Sequence, residues 1–322
     1  MTVVCPVFNE EASIPPFYLR LCSALREAES KVRFELLFVN NRSQDRTLPR
    51  LYGLQEMDSR VQIITLSRNF GYQASITAGM RHARGDAIVN IDVDCEDPPE
   101  LIPQFIDKWL AGADVAYGIR KQREEFIGMH LARKAFYRVT RRVADHEIVL
   151  DMAEFFLVDK RVRDVVLATR STFPFVRGQV GYVGFRREGI PYKRGRRLVG
   201  ETHYNLLGAI KFGVAGILSS STLPLRVLAY LGGVLAVLDL AAMGWVLAGG
   251  AGFDLSVGQR VLAAFLLLQG GWLMLALGSL GIYLARAYKD TVGLPLYVVD
   301  EHESSYGHDL DRPPALEQHV AS

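Results

Sequence analysis

Between Ile88 and Glu100 the chain reads IVNIDVDCEDPPE, so an apolar run ends in five carboxylates: Asp92, Asp94, Glu96, Asp97 and Glu100. Crowded carboxylates raise one another's pKa, a cost that a bound cation removes. Asp92 and Asp94 are two apart, and in an extended chain such residues point to the same side. Paired oxygen ligands of this kind suit a hard divalent cation, Mg²⁺ or Mn²⁺. An EF-hand does not fit: counted from Asp92, the sixth residue is Asp97 where Gly is needed, and the twelfth is Pro103 where Glu is needed. Nor does a G-x-G-x-x-G fingerprint follow the first apolar run. Acids at a helix N-terminus are favoured by the helix dipole. That accounts for Asp97 and Glu100, beside Pro98–Pro99, but not for Asp92 and Asp94. A metal held by few carboxylates completes its shell with water and substrate phosphates. The pattern therefore points to a nucleoside-diphosphate ligand, with the metal stabilising charge on a leaving diphosphate.

The acidic stretch needs a scaffold, and the flanking sequence supplies one. Short apolar runs (VVCPVF, FELLFV, VQIITL, DAIVNID, ADVAYG) alternate with longer helical patterns. Such alternation predicts an α/β fold with a mostly parallel sheet covered by helices on both faces. Ligands bind such sheets at the carboxyl ends of the strands. Those ends carry NEE, NNRSQD, SRNFGYQ and the acidic stretch, all polar. A basic helix is predicted over 124–144, and residues 186–197 hold six basic residues against one acid. The bland reading of the second run is a solvated surface loop; its place just before the apolar segments favours contact with anionic headgroups or a phosphorylated ligand.

The formal net charge of +2 is too small for a nucleic-acid binder. Three cysteines, Cys5, Cys22 and Cys95, lack metal-site spacing and are read as reduced thiols. Two apolar segments, Val227–Leu247 and Val261–Ala285, are each long enough to span a bilayer. Basic residues (Lys211, Arg226, Arg286, Lys289) flank their outer ends, and the linker AGGAGFDLSVGQ has none. The positive-inside rule then puts the N-terminal domain and the tail in the cytoplasm. The expected organisation is a catalytic domain over 1–203, an interfacial amphipathic segment over 204–224, two transmembrane helices over 225–287 and a tail over 288–322. The polar sequence after Val299 is predicted to be disordered. Asp239 in the first span, with Gly232, Gly233, Gly270 and Gly271, predicts a homo-oligomer packed through the spans.

The ordered set VVCPVFNEE, FVNNRSQDRT, SRNFGYQASITAGMRHARGD, DVDCEDPPELI and YGIRKQRE resembles the motifs of inverting family 2 glycosyltransferases of GT-A fold. With FVRGQVGYVGFRREGIPY, RRLVGETHYN and GIYLARAYKDTVGLPLYVV, roughly residues 2–300 are similar to the membrane-anchored polyprenyl-phosphate glycosyltransferases. Dolichol-phosphate mannose synthases and bactoprenol glucosyltransferases form this group. The resemblance implies transfer of a sugar from a nucleotide-sugar donor to a polyprenyl phosphate at the cytoplasmic face of the inner membrane. It implies donor contacts from Pro6, Asn9, Glu10, Asn40, Asn41, Asp92 and Arg197, and a metal on Asp94 with Glu96 beside it. Acceptor-phosphate contacts would come from Arg120, Arg133 and Lys134. Glu154, with Asp151 in reserve, matches the position of the family's catalytic carboxylate, and Asp92 belongs to the same reaction centre.

This chain departs from the family pattern in places. VNNRS stands where paired acids are usual, LDMAEFF replaces a common D-x-G-D-F-R, and His203 occupies a frequent Lys position. These departures keep a catalytically impaired binding module in view as an alternative. A processive polysaccharide synthase is a further one, though its Q-x-x-R-W motif is missing. An Asn side chain offers both a donor and an acceptor, so Asn40 and Asn41 predict a uridine donor. A phosphate acceptor is largely a dianion near neutral pH, its second pKa being about 6. Glu154 is therefore expected to orient the reactants more than to remove a proton.

Overall fold

The computed structural model describes residues 1–120, 152–169, 174–195, 223–247 and 255–306. The first five strands are β1 (Thr2–Val7), β2 (Glu35–Asn40), β3 (Val61–Thr65), β4 (Ala87–Asn90) and β5 (Val115–Arg120). Each falls on one of the apolar runs. β6 (Met152–Asp159) and β7 (Arg187–Tyr192) complete one seven-stranded sheet in the order β3-β2-β1-β4-β6-β5-β7. All its pairings are parallel except those of β6, which runs antiparallel to β4 and β5. Every residue of β1 and β4 is buried, as strands covered on both faces must be.

The helices α1 (Ile14–Arg26), α2 (Thr47–Met57), α3 (Tyr72–His82), α4 (Ile102–Leu110), α5 (Lys160–Ala168) and α6 (Val176–Tyr182) pack around this sheet. Proline in the first turn of α1 sets its start. Its apolar face, Ile14, Phe17, Leu21, Ala24 and Leu25, repeats at helical spacing and is buried. α3 lies so close to β1 and β2 that a Cβ at Gly79 would overlap Val4 and lie 3.1 Å from Val39 Cγ2.

Because β6 is antiparallel, its first residues share the sheet edge with the carboxyl ends of β1, β2, β3, β4 and β5. That edge therefore receives Glu154 near the start of β6 as well as the ends Val7, Asn40, Thr65, Asn90 and Arg120. β7 corrects the reading of 186–197 as a loop. Pairing with β5 in register, Arg120 opposite Tyr192, is a tertiary gain that the run of charges concealed.

Two long helices follow, α7 (Leu223–Leu247) and α8 (Leu255–Val292). Within α8, Leu268–Val292 is long and apolar enough to cross a membrane, and none of its window is buried. In α7 the apolar stretch among described residues is Val227–Leu238, shorter than a bilayer requires. Two spans were expected, and among the described residues one candidate is present. Gly232 sits where a Cβ would meet Trp272 Nε1 at 3.3 Å, so this glycine serves contact between the two helices of one chain. Residues 204–222 and the basic segment 124–144 lie outside the described residues.

The expected disorder after Val299 does not hold for its first residues. Val299 and Ser305 form antiparallel bridges to Leu66 and Ile63 at the free edge of β3. Backbone bonds Ser67 N–H to Val298 O (2.9 Å), Asp300 N–H to Thr65 O (2.8 Å) and Ser305 N–H to Ile63 O (3.0 Å) fix the register. An edge strand presents unpaired backbone groups, and this strap satisfies them despite its polar side chains.

Candidate active site

The polar strand ends meet in a cleft of about 350 Å³ lined by Pro6, Glu10, Asn41, Tyr72, Asp92 and Asp94 among others. β4 ends at Asn90, so the acidic stretch is a turn and not an extended strand. Cys95 has φ +61°, which breaks the alternation beyond Asp94. Asp92 and Asp94 both line the cleft, brought there by the turn and not by strand alternation. Tyr72, at the first turn of α3, donates its hydroxyl to Asp92 Oδ1 at 2.6 Å. Burial pushes the Asp92 carboxyl up to about 7, against the lowering effect of that Tyr72 bond and with the help of the nearby Asp94, Asp97 and Glu154 charges.

Glu96 takes a different environment from the one expected. Its carboxylate is ion-paired with Arg194, and it does not line the cleft with Asp94. The loop after β7 approaches closely enough for Gly195 N–H to bond Glu96 O at 2.8 Å. This brings Arg194 against Glu96, a contact between residues about a hundred apart that no local pattern announces. Among the described residues no group of three or more His, Cys, Asp or Glu is arranged to hold a metal ion. The cleft instead offers the oxygen ligands of Asp92 and Asp94, a set that fits a hard cation whose remaining positions are filled by water and phosphate.

Asp97 is buried, 1% exposed, and serves neither the cleft nor a helix dipole alone. It accepts from the Tyr192 hydroxyl and from Arg120 Nη2, the latter at 3.0 Å. Arg120 Nε also donates to Tyr192 Oη at 3.1 Å. Arg120 is thus held at the sheet edge by partners on β7 and on the acidic turn. A buried carboxylate is retained only where such partners exist.

Asn40 and Asn41 are 1% and 4% exposed, and both amides are engaged within the protein. Asn40 Oδ1 accepts from Ser43 N–H at 3.0 Å, and its Nδ2 donates to Thr65 Oγ1 at 3.4 Å. Asn41 Oδ1 accepts from Phe70 N–H at 2.9 Å, and its Nδ2 donates to Asn69 Oδ1 at 3.0 Å. Asn41 lines the cleft; Asn40 does not. Asn9, at φ +55°, ties the neighbouring loop in through Gln44 N–H to its Oδ1 at 2.8 Å.

Glu154 is near enough to Tyr72 and Asp92 for its charge to raise the pKa of both. Gln73 Nε2 donates to its Oε1 at 3.3 Å, Arg177 Nε lies 3.9 Å away, and Oε2 is buried without a partner. Burial raises its pKa, opposed by Arg177 and the Gln73 bond. Asn90 donates Nδ2 to Glu154 O at 2.6 Å, leaving its own Oδ1 buried and unpartnered. Tyr72, Gln73, Asn90, Arg177, Tyr192 and Arg194 were not singled out from the sequence. All six lie in stretches with a signal there: Tyr72 and Gln73 in the polar SRNFGYQ, Asn90 at the head of the acidic stretch, Arg177 in FVRGQVGYVGFRREGIPY, and Tyr192 and Arg194 in the basic run 186–197. Asp151, Arg133, Lys134 and Arg197 lie outside the described residues.

The family model described as Glycosyl transferase family 2 matches residues 2–165. The chain belongs to that family. The "Uncharacterized glycosyltransferase YkcC" of Bacillus subtilis (strain 168) is 40% identical over 97% of this chain and 95% of the relative. The "Prophage bactoprenol glucosyl transferase homolog" of Escherichia coli (strain K12) is 33% identical over 93% of this chain and 98% of the relative. A solved mannosyltransferase from Pyrobaculum calidifontis, in complex with GDP-Man and Mn²⁺, aligns with 91% of this chain and 87% of its own, at 16% identity and a TM-score of 0.47. This family 2 chain is a glycosyltransferase with a GT-A α/β sheet, as the resemblance implied.

Proposed function

We propose that this glycosyltransferase moves a sugar, with inversion, from a nucleotide-sugar to a polyprenyl phosphate at the cytoplasmic face of a membrane. Its product would supply lipid-linked sugar for glycan or lipopolysaccharide modification. The observation that carries the reading is a carboxylate-edged cleft in a chain similar to bactoprenol glucosyl transferases along 93% of its length. The apolar, unburied helix Leu268–Val292 supports the membrane assignment. A second span in α7, the multi-pass arrangement and the homo-oligomer belong to the same proposal.

Within it, Pro6, Glu10 and Asn41 border the nucleotide, with Asn9 bracing their loop and Arg197 meeting the diphosphate. Asn41 retains one amide hydrogen and one carbonyl lone pair, which supports a uridine base at N3–H and O4. Asp94, with Asp92, would hold Mg²⁺ or Mn²⁺, which supplies positive charge against the leaving diphosphate. Glu96 reaches that region only through Arg194. Arg120, Arg133 and Lys134 bind the acceptor phosphate and favour its dianion. Glu154 would chiefly orient the acceptor and donor sugar; its buried unpartnered oxygen and that of Asn90 lie close to the cleft residues Tyr72 and Asp92. Asp151 is the reserve carboxylate.

A screen of nucleotide-sugars with undecaprenyl phosphate, read by mass spectrometry, tests the proposal. A hexosyl-undecaprenyl phosphate formed from a UDP-sugar is expected. Failure of every donor to give a lipid-linked product overturns it.

A further inference from the structure

The strap that follows α8 does more than cover an edge. Arg42 stands at φ +61° directly after Asn41, and its Nη1 donates to Asp300 Oδ2 at 2.9 Å and to Glu303 Oε2 at 2.8 Å. Thr65 Oγ1 donates to Glu303 O at 2.9 Å, and Thr65 N–H donates to Ser304 Oγ at 2.9 Å. The same Thr65 hydroxyl accepts from Asn40, whose carbonyl in turn holds Ser43 N–H. Ser43 Oγ then accepts from Asn9 N–H at 3.0 Å. An unbroken line of contacts therefore runs from the strap through the 40–43 loop to the loop bearing Glu10. The strap's far end is fastened separately, by Tyr306 Oη to His82 O and by Arg84 stacked 4.3 Å from the Tyr306 ring.

We infer that residues 297–306 are a positioning element for the donor cleft, and that Arg42 is the positioning residue that transmits it to Asn41. The inference rests on the reading of the cleft as a nucleoside-diphosphate site. A residue in the left-handed region is held there by its surroundings, because a non-glycine side chain is strained in that conformation. Two carboxylates converging on one nitrogen of Arg42 supply the holding force. Arg42 itself is absent from the residues lining the cleft. Without its partners the loop relaxes, and Asn41 and the Asn9–Glu10 turn lose their fixed spacing. The strap begins five residues beyond the end of α8, at Tyr297, so the apolar helix and the donor loop are mechanically joined through it.

The test is calorimetric titration of the full chain, in detergent, with UDP and Mn²⁺, alongside steady-state turnover. Arg42→Ala should weaken UDP binding about fivefold, the scale of coupling carried through a packed network, and raise donor KM by the same factor with kcat retained. Arg42→Lys should restore both, because one nitrogen makes both contacts. Asp300→Asn with Glu303→Gln should match Arg42→Ala, and combining all three should add nothing. Melting should change little, since exposed ion pairs contribute little to global stability. Wild-type UDP affinity in Arg42→Ala overturns the strap's role alone. Additive losses in the combined variant overturn it too, because Arg42 would then touch the nucleotide directly. A wild-type protein that binds neither UDP nor GDP overturns the reading of the cleft, and the strap's role with it.

Discussion

Asp94 and Glu154 are both carboxylates, but their surroundings assign them opposite predictions. Asp94 faces the cleft, and one of its oxygens accepts from Glu96 N–H at 3.0 Å, which holds the side chain in place. Asn at this position keeps that bond and loses the charge. Asp94→Asn should abolish turnover and weaken Mn²⁺-dependent donor binding; ordinary turnover would remove Asp94 from the metal site. Glu154 is buried with an orphaned oxygen. Its folded pKa lies above the unfolded value, so the unfolded state loses its proton first and stability falls as pH rises through that interval. Glu154→Gln cannot ionise. Its melting temperature should exceed that of the wild type by more at pH 8 than at pH 4. At pH 8, where the acceptor is a dianion, its activity should fall only about tenfold. A loss of several orders of magnitude there would make Glu154 an obligatory base. The types and spacing of these carboxylates were legible in the sequence. The distant partners of Glu154, Glu96 and Asp92 were not, because Arg177, Arg194 and Tyr72 respectively reach them across the fold rather than along it.

Elements were legible in proportion to how far their own residues explained their burial. β1 to β5 are apolar runs and were read directly, whereas β7 carries Arg187 and Glu188 and owes its existence to pairing with β5. The fit of α3 to the sheet is another tertiary term. Gly79→Ala gains about 1 kcal/mol of helix propensity. Against that, the added methyl overlaps buried Val4, and overpacking of a closed core costs about 1–3 kcal/mol. Val4 is fully buried and has no room to retreat, so the clash wins. The variant should unfold at lower denaturant concentration by about 1 kcal/mol, and because α3 carries Tyr72 and Gln73 its turnover should fall as well. An unchanged or raised unfolding midpoint would show that the helix can shift freely against β1. Tyr192→Phe probes the other side of the site. It strips the buried Asp97 of one donor, which costs about 1–3 kcal/mol, and chemical unfolding should register the loss.

On the scale of the whole molecule, the chain leaves its catalytic sheet, runs through α7 and α8, and returns to the sheet at β3. Hydropathy made the outward path legible. The return was hidden because the strap beyond Val299 is mostly polar, its backbone bonds carry no side-chain signature, and its side-chain partners Arg42 and Arg84 lie more than two hundred residues away. The return separates two roles that deletion of the whole C-terminal region would confound. A chain ended after Leu296 keeps Leu268–Val292, and with it the proposed membrane attachment, but loses every strap contact with the sheet. A chain ended after Tyr306 keeps both. Four strap backbone bonds join 298–305 to Ile63, Thr65 and Ser67. With them go the Arg42 ion pairs and the Tyr306 hydroxyl bond to His82 O. The shorter chain should therefore melt below the longer one. It should sediment with membranes equally well, and it should show a raised KM for the nucleotide-sugar while the KM for the polyprenyl phosphate stays the same. Equal melting and equal donor KM in the two chains would mean that the strap neither stabilises the sheet edge nor reaches the cleft. A matching rise in acceptor KM would mean that it acts on the membrane side of the enzyme instead.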